Sequence, residues 1–328
     1  MNTPENRLIQ KILGKSSRTN GLRNGLRLGV GDDAALFVSR SGCETILTCD
    51  WFLEGTHFLR DRHPAGSVGW KSLARAVSDI AAMGGIPRCF LLSLAIPSEL
   101  TGRWLDEFLK GLRRVSRKLP CPLVGGDTTR QNRVLINVTV IGEVRSGQAL
   151  LRSGARAGDI IYVSGRLGEA ELGLSMLRSA KAKIRATNPP LRKHLYPEPR
   201  IGLGQWLADR RLATAAMDLS DGLSTDLARL CAASNVGATI DESNLDSTAV
   251  RHSSVPNWNK RLALALNGGD DYELLFTVPP GKVRGIPSRY RGLKLTAIGQ
   301  VTRGKGLTLS QRDGSTAAVT PRGWDPFA

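Results

Sequence analysis

Asp218-Leu219-Ser220-Asp221-Gly222-Leu223 stands between the apolar run at 213–217 and a segment where Leu223, Leu227, Leu230 and Cys231 recur at helical spacing. Residues 213–233 therefore read as strand, tight turn and helix. Asp218 and Asp221 lie three apart at the start of that helix and are expected to share a face. The helix N-terminus and Ser220 are expected to supply donors for a phosphate. Further glycine-aspartate clusters occur at Gly31-Asp32-Asp33, Gly125-Gly126-Asp127 and Gly268-Gly269-Asp270-Asp271. Lys and Arg outnumber Asp and Glu by 46 to 29, so acid is scarce overall and is gathered at these places. Glycine allows close backbone approach, and a short carboxylate beside it is a hard oxygen ligand suited to Mg²⁺. Any one cluster is ordinary turn chemistry; four together read as a multi-metal phosphate site.

Outward from that passage, strands and helices alternate. Residues 45–52 read as a strand ending near Asp50, 70–83 as a helix with Leu73, Val77, Ile80 and Ala81 on one stripe and Asp79 off it, and 89–96 as an apolar strand. Residues 104–119 read as a basic amphipathic helix and 134–144 as a β-branched strand, with Gly125-Gly126-Asp127 in the turn between them. A turn-rich passage at 149–159 marks the boundary between two domains, 1–148 and 149–328. Beyond it come a strand at 160–164, a helix at 169–180, a basic linker with Pro189-Pro190, a helix at 200–208, and strands at 238–241, 273–278 and 295–301. The fold class is α/β, layered, in two related halves. Residues 16–29, rich in Ser, Asn and Gly, read as a loop after an N-terminal helix at 5–13.

Hydrophobic residues at 41% and charged residues at 23% are ordinary for a globular chain, which excludes wholesale disorder and a fibrous repeat. No apolar run is long enough to span a bilayer and the first fifteen residues lack a signal-peptide core, so a cytoplasmic location without membrane contact is expected. Five cysteines without a C-x-x-C pair argue against both a disulfide framework and a thiolate zinc site. The net charge of +17 raises nucleic acid as a partner, but the charge is spread out, aromatics are 5%, and no stacking motif accompanies it. Such a field also attracts anionic nucleotides and phosphate esters.

No G-x-x-x-x-G-K-[ST] loop is present, and the Gly29-x-Gly31-x-x-Ala34 fingerprint lacks a preceding strand and carries two acids that would repel a pyrophosphate. Phosphate binding here therefore calls for metal. Unit charges about 4 Å apart repel by about 4 kcal/mol at an effective dielectric near 20, so transfer between two anionic phosphates needs several cations. Bridging Mg²⁺ meets that need without a covalent protein nucleophile.

Seven motifs now stand in one order: Gly31-Asp32-Asp33-Ala34-Ala35; Asp50 through Gly55-Thr56-His57-Phe58; Ser78-Asp79-Ile80-Ala81-Ala82-Met83-Gly84; Gly125-Gly126-Asp127-Thr128-Thr129-Arg130; Arg152-Ser153-Gly154-Ala155; Asp218-Leu219-Ser220-Asp221-Gly222-Leu223; and Gly268-Gly269-Asp270-Asp271-Tyr272-Glu273-Leu274. In this set, covering nearly the whole chain, the sequence resembles the bacterial thiamine-monophosphate kinase family. The resemblance implies an aminoimidazole-ribonucleotide-synthetase-like fold of two α/β domains, with N-terminal sheets paired across a homodimer and ATP bound in a cleft. It implies Mg²⁺ ligands at Asp32, Asp50, Asp79, Asp127, Asp218 and Asp221, with a contribution from Thr48 and Cys49. It also implies ATP contacts at Gly126, Asp127, Arg152 and Ser220, and thiamine monophosphate contacts at His57, Asp270 and Trp324. An indole suits a thiazolium cation, and His57 suits the substrate phosphate.

Three positions depart from the family pattern. Asp270 stands where glutamate is usual, Cys49 replaces a hydroxyl residue, and Ala76 occupies a position that is often asparagine. The competing expectations are another ATP-using member of the same fold and a catalytically silent, basic nucleic-acid-binding protein.

Overall fold

The computed structural model describes residues 4–13, 25–28, 34–179, 188–325 and 327. Gly31-Asp32-Asp33, the proposed ligand Asp32 included, and the basic group at 181–185 lie outside the described residues, as does most of the loop read at 16–29. The chain divides into two compact units, Met1–Ile80 with Gly85–Gly147 and Ala81–Gly84 with Gln148–Ala328.

In the first unit, helix α1 (Pro4–Leu13) precedes a small antiparallel ribbon of β1 (Leu26–Leu28) and β2 (Leu36–Phe37). The main elements are β3 (Cys43–Leu53), α2 (Ala65–Ala82), β4 (Ile86–Ile96), α3 (Arg103–Lys118), β5 (Leu123–Arg130) and β6 (Leu135–Arg145). The strands form one sheet in the order β3-β6-β4-β5, parallel only between β4 and β5. Helix α3 buries Leu105, Phe108, Leu109, Leu112 and Val115, the face its period predicts. It crosses α2 at glycines: a Cβ on Gly111 would meet the Gly66 carbonyl oxygen at 1.8 Å.

The Gly125-Gly126-Asp127 cluster does not form the expected turn. It runs inside β5, with Gly126 opposite Leu92 and Asp127 opposite Ser93. The glycine serves the approach of two strands: Gly126 has φ +148°, and a Cβ there would lie 1.9 Å from the Leu92 carbonyl oxygen.

The second unit contains β7 (Ile160–Ser164), α4 (Glu169–Ser179), α5 (Pro189–Leu195), α6 (Ile201–Asp209), β8 (Ala215–Leu219), α7 (Leu223–Ser234), β9 (Gly237–Asp241), α8 (Glu242–Asp246) and α9 (Trp258–Asn267). It continues with β10 (Glu273–Val278), β11 (Arg289–Tyr290), β12 (Leu293–Thr302), β13 (Leu307–Ser310) and β14 (Thr316–Val319). Its sheet runs β14-β13-β9-β12-β7-β10-β8, with β11 joined to β12. Strands β7, β8 and β10 are buried on both faces, which is why they read as continuous apolar runs. Ile161, Val163, Met217, Leu219 and Leu275 pack on one side with Leu223, Leu227 and Leu230 of α7. Tyr162, Ala216, Leu274 and Phe276 pack on the other with Leu203 and Leu207 of α6.

The expected linker at Pro189-Pro190 is instead the start of α5. Proline is tolerated in a first helical turn, whose N–H groups have no intrahelical partner, and the Asn188 side chain caps the helix by accepting from the Leu191 N–H.

Candidate active site

In the first unit, strand alternation decides which side chains meet. Thr48 and Asp50 lie two apart on the face of β3 that meets α2, while Arg75 and Asp79 lie four apart on α2. Two strand residues rise about 6.6 Å and four helix residues about 6 Å, so the pairs match across the layer. Asp50 Oδ2 accepts from Arg75 Nε at 3.3 Å, and the Thr48 hydroxyl donates to Asp79 Oδ2. Arg75 also lies over the Phe52 ring, 5.3 Å from its centroid.

Cys49, one residue away, falls on the other face, where its sulfur accepts from Asn137 Nδ2 at 3.1 Å. The register aligns Trp51, Asn137, Ser93 and Asp127 in one row, which places Asp127 on this second face and at the opposite edge of the sheet from Asp50. The structure thus brings Thr48, Asp50 and Asp79 together and sets Asp127 apart from them. Asp127 Oδ1 accepts from the following N–H, of Thr128, at 2.8 Å.

His57 closes the turn after β3. Its Nδ1 accepts from the Leu53 N–H at 3.1 Å, so the neutral ring carries its proton on Nε2. That tautomer can donate to a phosphate oxygen.

In the second unit, Asp218 and Asp221 do not share a helical face. Asp218 lies on β8, buried, opposite Leu274 and following Ala216 in the alternation, whereas Asp221 lies in the turn before α7. The turn that precedes α7 has its own N–H groups engaged. The N–H groups of Ser220, Asp221 and Gly222 all donate to Asp226 Oδ2, at 3.1, 3.0 and 3.1 Å. Burial and the neighbouring Asp221 charge push Asp226 up to about 6. Arg229 Nη1 donates to Asp226 Oδ1 at 3.0 Å and also to Asp221.

Two distant segments dock on the same turn. The Asp270 N–H donates to the Ser220 carbonyl at 2.8 Å and the Trp324 N–H to that of Asp221 at 2.9 Å. Ser220, Asp221, Asp270 and Trp324 are therefore neighbours, and the Trp324 side of this group is open, 44% exposed. Asp270 has φ +67°; its carboxylate accepts from Tyr272 Oη at 2.9 Å and faces His194 Nδ1 at 3.6 Å. Arg152 stands elsewhere: its carbonyl accepts from Ser234 at the C-terminal end of α7, about 18 Å from the Ser220 end at 1.5 Å per helical residue.

Behind this loop lies a buried ion cluster. Glu273 accepts from Arg200 Nε at 2.7 Å, from Lys193 and from the Ser164 hydroxyl. Its burial alone would raise its pKa, but the adjacent Lys193 and Arg200 charges outweigh that and hold it at about 2. Asp271 accepts from the Ala170 N–H at 3.0 Å and from that of Gly168, and burial pushes it up to about 7. Arg75, Lys193, His194 and Asp226 carry this architecture but were missed by motif reading, and Glu273 stood in a quoted motif without a role. Only Asp226 had a local signal, an acid in the first turn of a helix.

Among the described residues, no three His, Cys, Asp or Glu side chains form a metal-holding group. The carboxylates of Asp50, Asp79, Asp218 and Asp221 are nonetheless hard oxygen donors of the kind Mg²⁺ takes one or two at a time, completing its shell with phosphate and water.

The two units and their acidic loops define a member of the AIR synthase related family: the family's N-terminal domain matches residues 31–144 and its C-terminal domain residues 156–311. The thiamine-monophosphate kinase of Escherichia coli (strain K12) is 39% identical over 318 residues, 95% of each chain. That of Bacillus subtilis (strain 168) is 34% identical over 313 residues, 92% of this chain and 93% of the other. The chain belongs to the thiamine-monophosphate kinase family. Among solved structures, the thiamine-monophosphate kinase from Stenotrophomonas maltophilia K279a superposes with a TM-score of 0.79 at 35% identity, over 95% of this chain and 96% of that one. AaThiL complexed with AMPPCP and TMP gives 0.76 at 32%, over 88% and 89%. Escherichia coli HypE, a hydrogenase maturation protein, shares the fold at 0.76 with 21% identity, over 96% of each chain.

Proposed function

We propose that this chain phosphorylates thiamine monophosphate with ATP, giving thiamine diphosphate and ADP by direct in-line transfer without a covalent enzyme intermediate. The observation that carries this reading is the near full-length identity of 34–39% with thiamine-monophosphate kinases. Oxygen donors of Asp32, Asp50, Asp79, Asp127, Asp218 and Asp221, with Thr48 and the Cys49 backbone, would hold Mg²⁺, which when bound neutralises the phosphates and keeps them aligned. Gly126, Asp127, Arg152 and Ser220 contact ATP. His57 donates from Nε2 to the substrate phosphate, while Asp270 and the Trp324 indole receive the thiazolium cation. The cytoplasm is the location proposed with this activity.

Incubating the protein with ATP, Mg²⁺ and thiamine monophosphate is expected to yield thiamine diphosphate by chromatography, and EDTA is expected to abolish it. ATP turnover without thiamine diphosphate would overturn the substrate assignment.

A homodimer is part of the same proposal. Edge strand β3 exposes Leu47 (70%) and Trp51 (55%) on one face, and an open apolar edge strand favours pairing with another copy. Leu47→Lys with Trp51→Lys is expected to convert a dimer to a monomer in sedimentation; a monomeric parent chain would exclude it.

A further inference from the structure

Three consecutive peptide groups link Leu219 to Gly222, and each is held on both sides. Their N–H groups, those of Ser220, Asp221 and Gly222, converge on one oxygen, Asp226 Oδ2, at 3.0–3.1 Å. Their carbonyls, those of Leu219, Ser220 and Asp221, accept in turn from the N–H groups of Tyr272 (2.8 Å), Asp270 (2.8 Å) and Trp324 (2.9 Å). In a trans peptide the N–H and C=O point in opposite directions, so Asp226 lies on one side of the turn and the two docked segments on the other. No peptide in the turn can rotate without breaking a bond on each side.

Asp226 itself is 0% exposed, and burying a carboxylate is costly unless it is hydrogen-bonded and paired. A helix cap alone would need only the bond back to the N–H of the N-cap residue Gly222, the kind of bond a capping box makes, whereas Asp226 also takes the N–H groups of the two residues before it. Arg229 completes the arrangement by bonding the carboxylates of both Asp226 and Asp221.

We infer that Asp226 is a positioning residue of the active site: through the three peptides it sets the placement of Ser220 and Asp221 and, across them, of Asp270 and Trp324. The inference rests on the kinase reading for what those four residues contact, but its geometry is independent of that reading. One buried carboxylate thus joins the phosphate-side turn to the substrate-side loops.

The test compares Asp226→Ala with Asp226→Asn in the full chain, reading steady-state kinetics and amide hydrogen exchange. Asp226→Ala removes the shared acceptor; it is expected to raise KM for thiamine monophosphate about tenfold and lower kcat by about 10²-fold. The amides of Ser220, Asp221, Gly222, Asp270, Tyr272 and Trp324 are expected to lose protection together, while those of β7 keep theirs. Asp226→Asn keeps an acceptor oxygen beneath the three N–H groups and is expected to recover most of both losses. Unchanged protection at those six amides in folded Asp226→Ala, or equal damage in the two variants, overturns the inference. Should Asp226→Ala not fold, Asp226→Asn decides: six amides protected as a group, with kcat within about tenfold of the parent, support it, and scattered exchange rates overturn it. Because exchange is read without substrate, a parent that shows the shared protection but makes no thiamine diphosphate overturns the kinase reading alone.

Discussion

Asp218→Asn is expected to lower turnover to thiamine diphosphate on the order of 10³-fold, about 4 kcal/mol of transition-state stabilisation, with the fold intact. Asp218 is 4% exposed and lies on β8, opposite Leu274, in a strand buried on both faces. Asparagine has nearly the same volume and suits the same backbone, so the change removes a charge and leaves the packing. That charge is proposed as a magnesium ligand, for which an amide oxygen is a poor substitute. The measurement is kcat at saturating ATP and thiamine monophosphate across a range of Mg²⁺, alongside circular dichroism. Turnover within a few-fold of the parent from a folded protein would remove Asp218 from the metal set.

Glu273→Gln is expected to have the largest effect on stability. The carboxylate is fully buried between Lys193 and Arg200, and neutralising it leaves two cations without their anion, a change that costs about 3–5 kcal/mol. A melting temperature lower on the order of 10 °C should follow for a unit of this size. The pH dependence has a definite sign. Because the folded-state pKa is held at about 2 against an ordinary 4.5, the pair contributes its full stabilisation above about pH 4.5 and loses it as pH falls toward 2. The gap corresponds to about 3 kcal/mol. Denaturant titrations from pH 6 to 2 should show a shallower acid limb in Glu273→Gln than in the parent; identical limbs would place the acid sensitivity in other carboxylates.

Much of the element order is legible in the sequence because buried strands and amphipathic helices write their periods into it. Residues 160–164 and 273–278 are strands with the expected bounds, and the apolar stripe of α2 is buried, with Arg75 and Asp79 less buried off it. Where the reading failed, composition pointed to the commonest use of a residue and tertiary pairing chose another. Gly125-Gly126-Asp127 has turn composition, yet it forms β5 because a second strand needs to pass close to Gly126. Pro189-Pro190 looks like a linker, yet two prolines fit a first helical turn.

For the site, sequence by itself determined the inventory: the carboxylates, their glycine neighbours and their order, which together are recognisable as one family's signature. Tertiary structure decided which of them meet. Asp50 lies on the same side of its sheet as Arg75 and Asp79 of α2 and not with Asp127, because strand alternation separates the two faces of a sheet, and no local pattern records what packs on each face. Asp270 and Trp324 reach Ser220 and Asp221 through backbone hydrogen bonds, whose donors and acceptors are peptide groups and not side chains. Contacts that belong to the peptide rather than the residue leave no mark in a sequence, and in the second unit they bring the candidate site together.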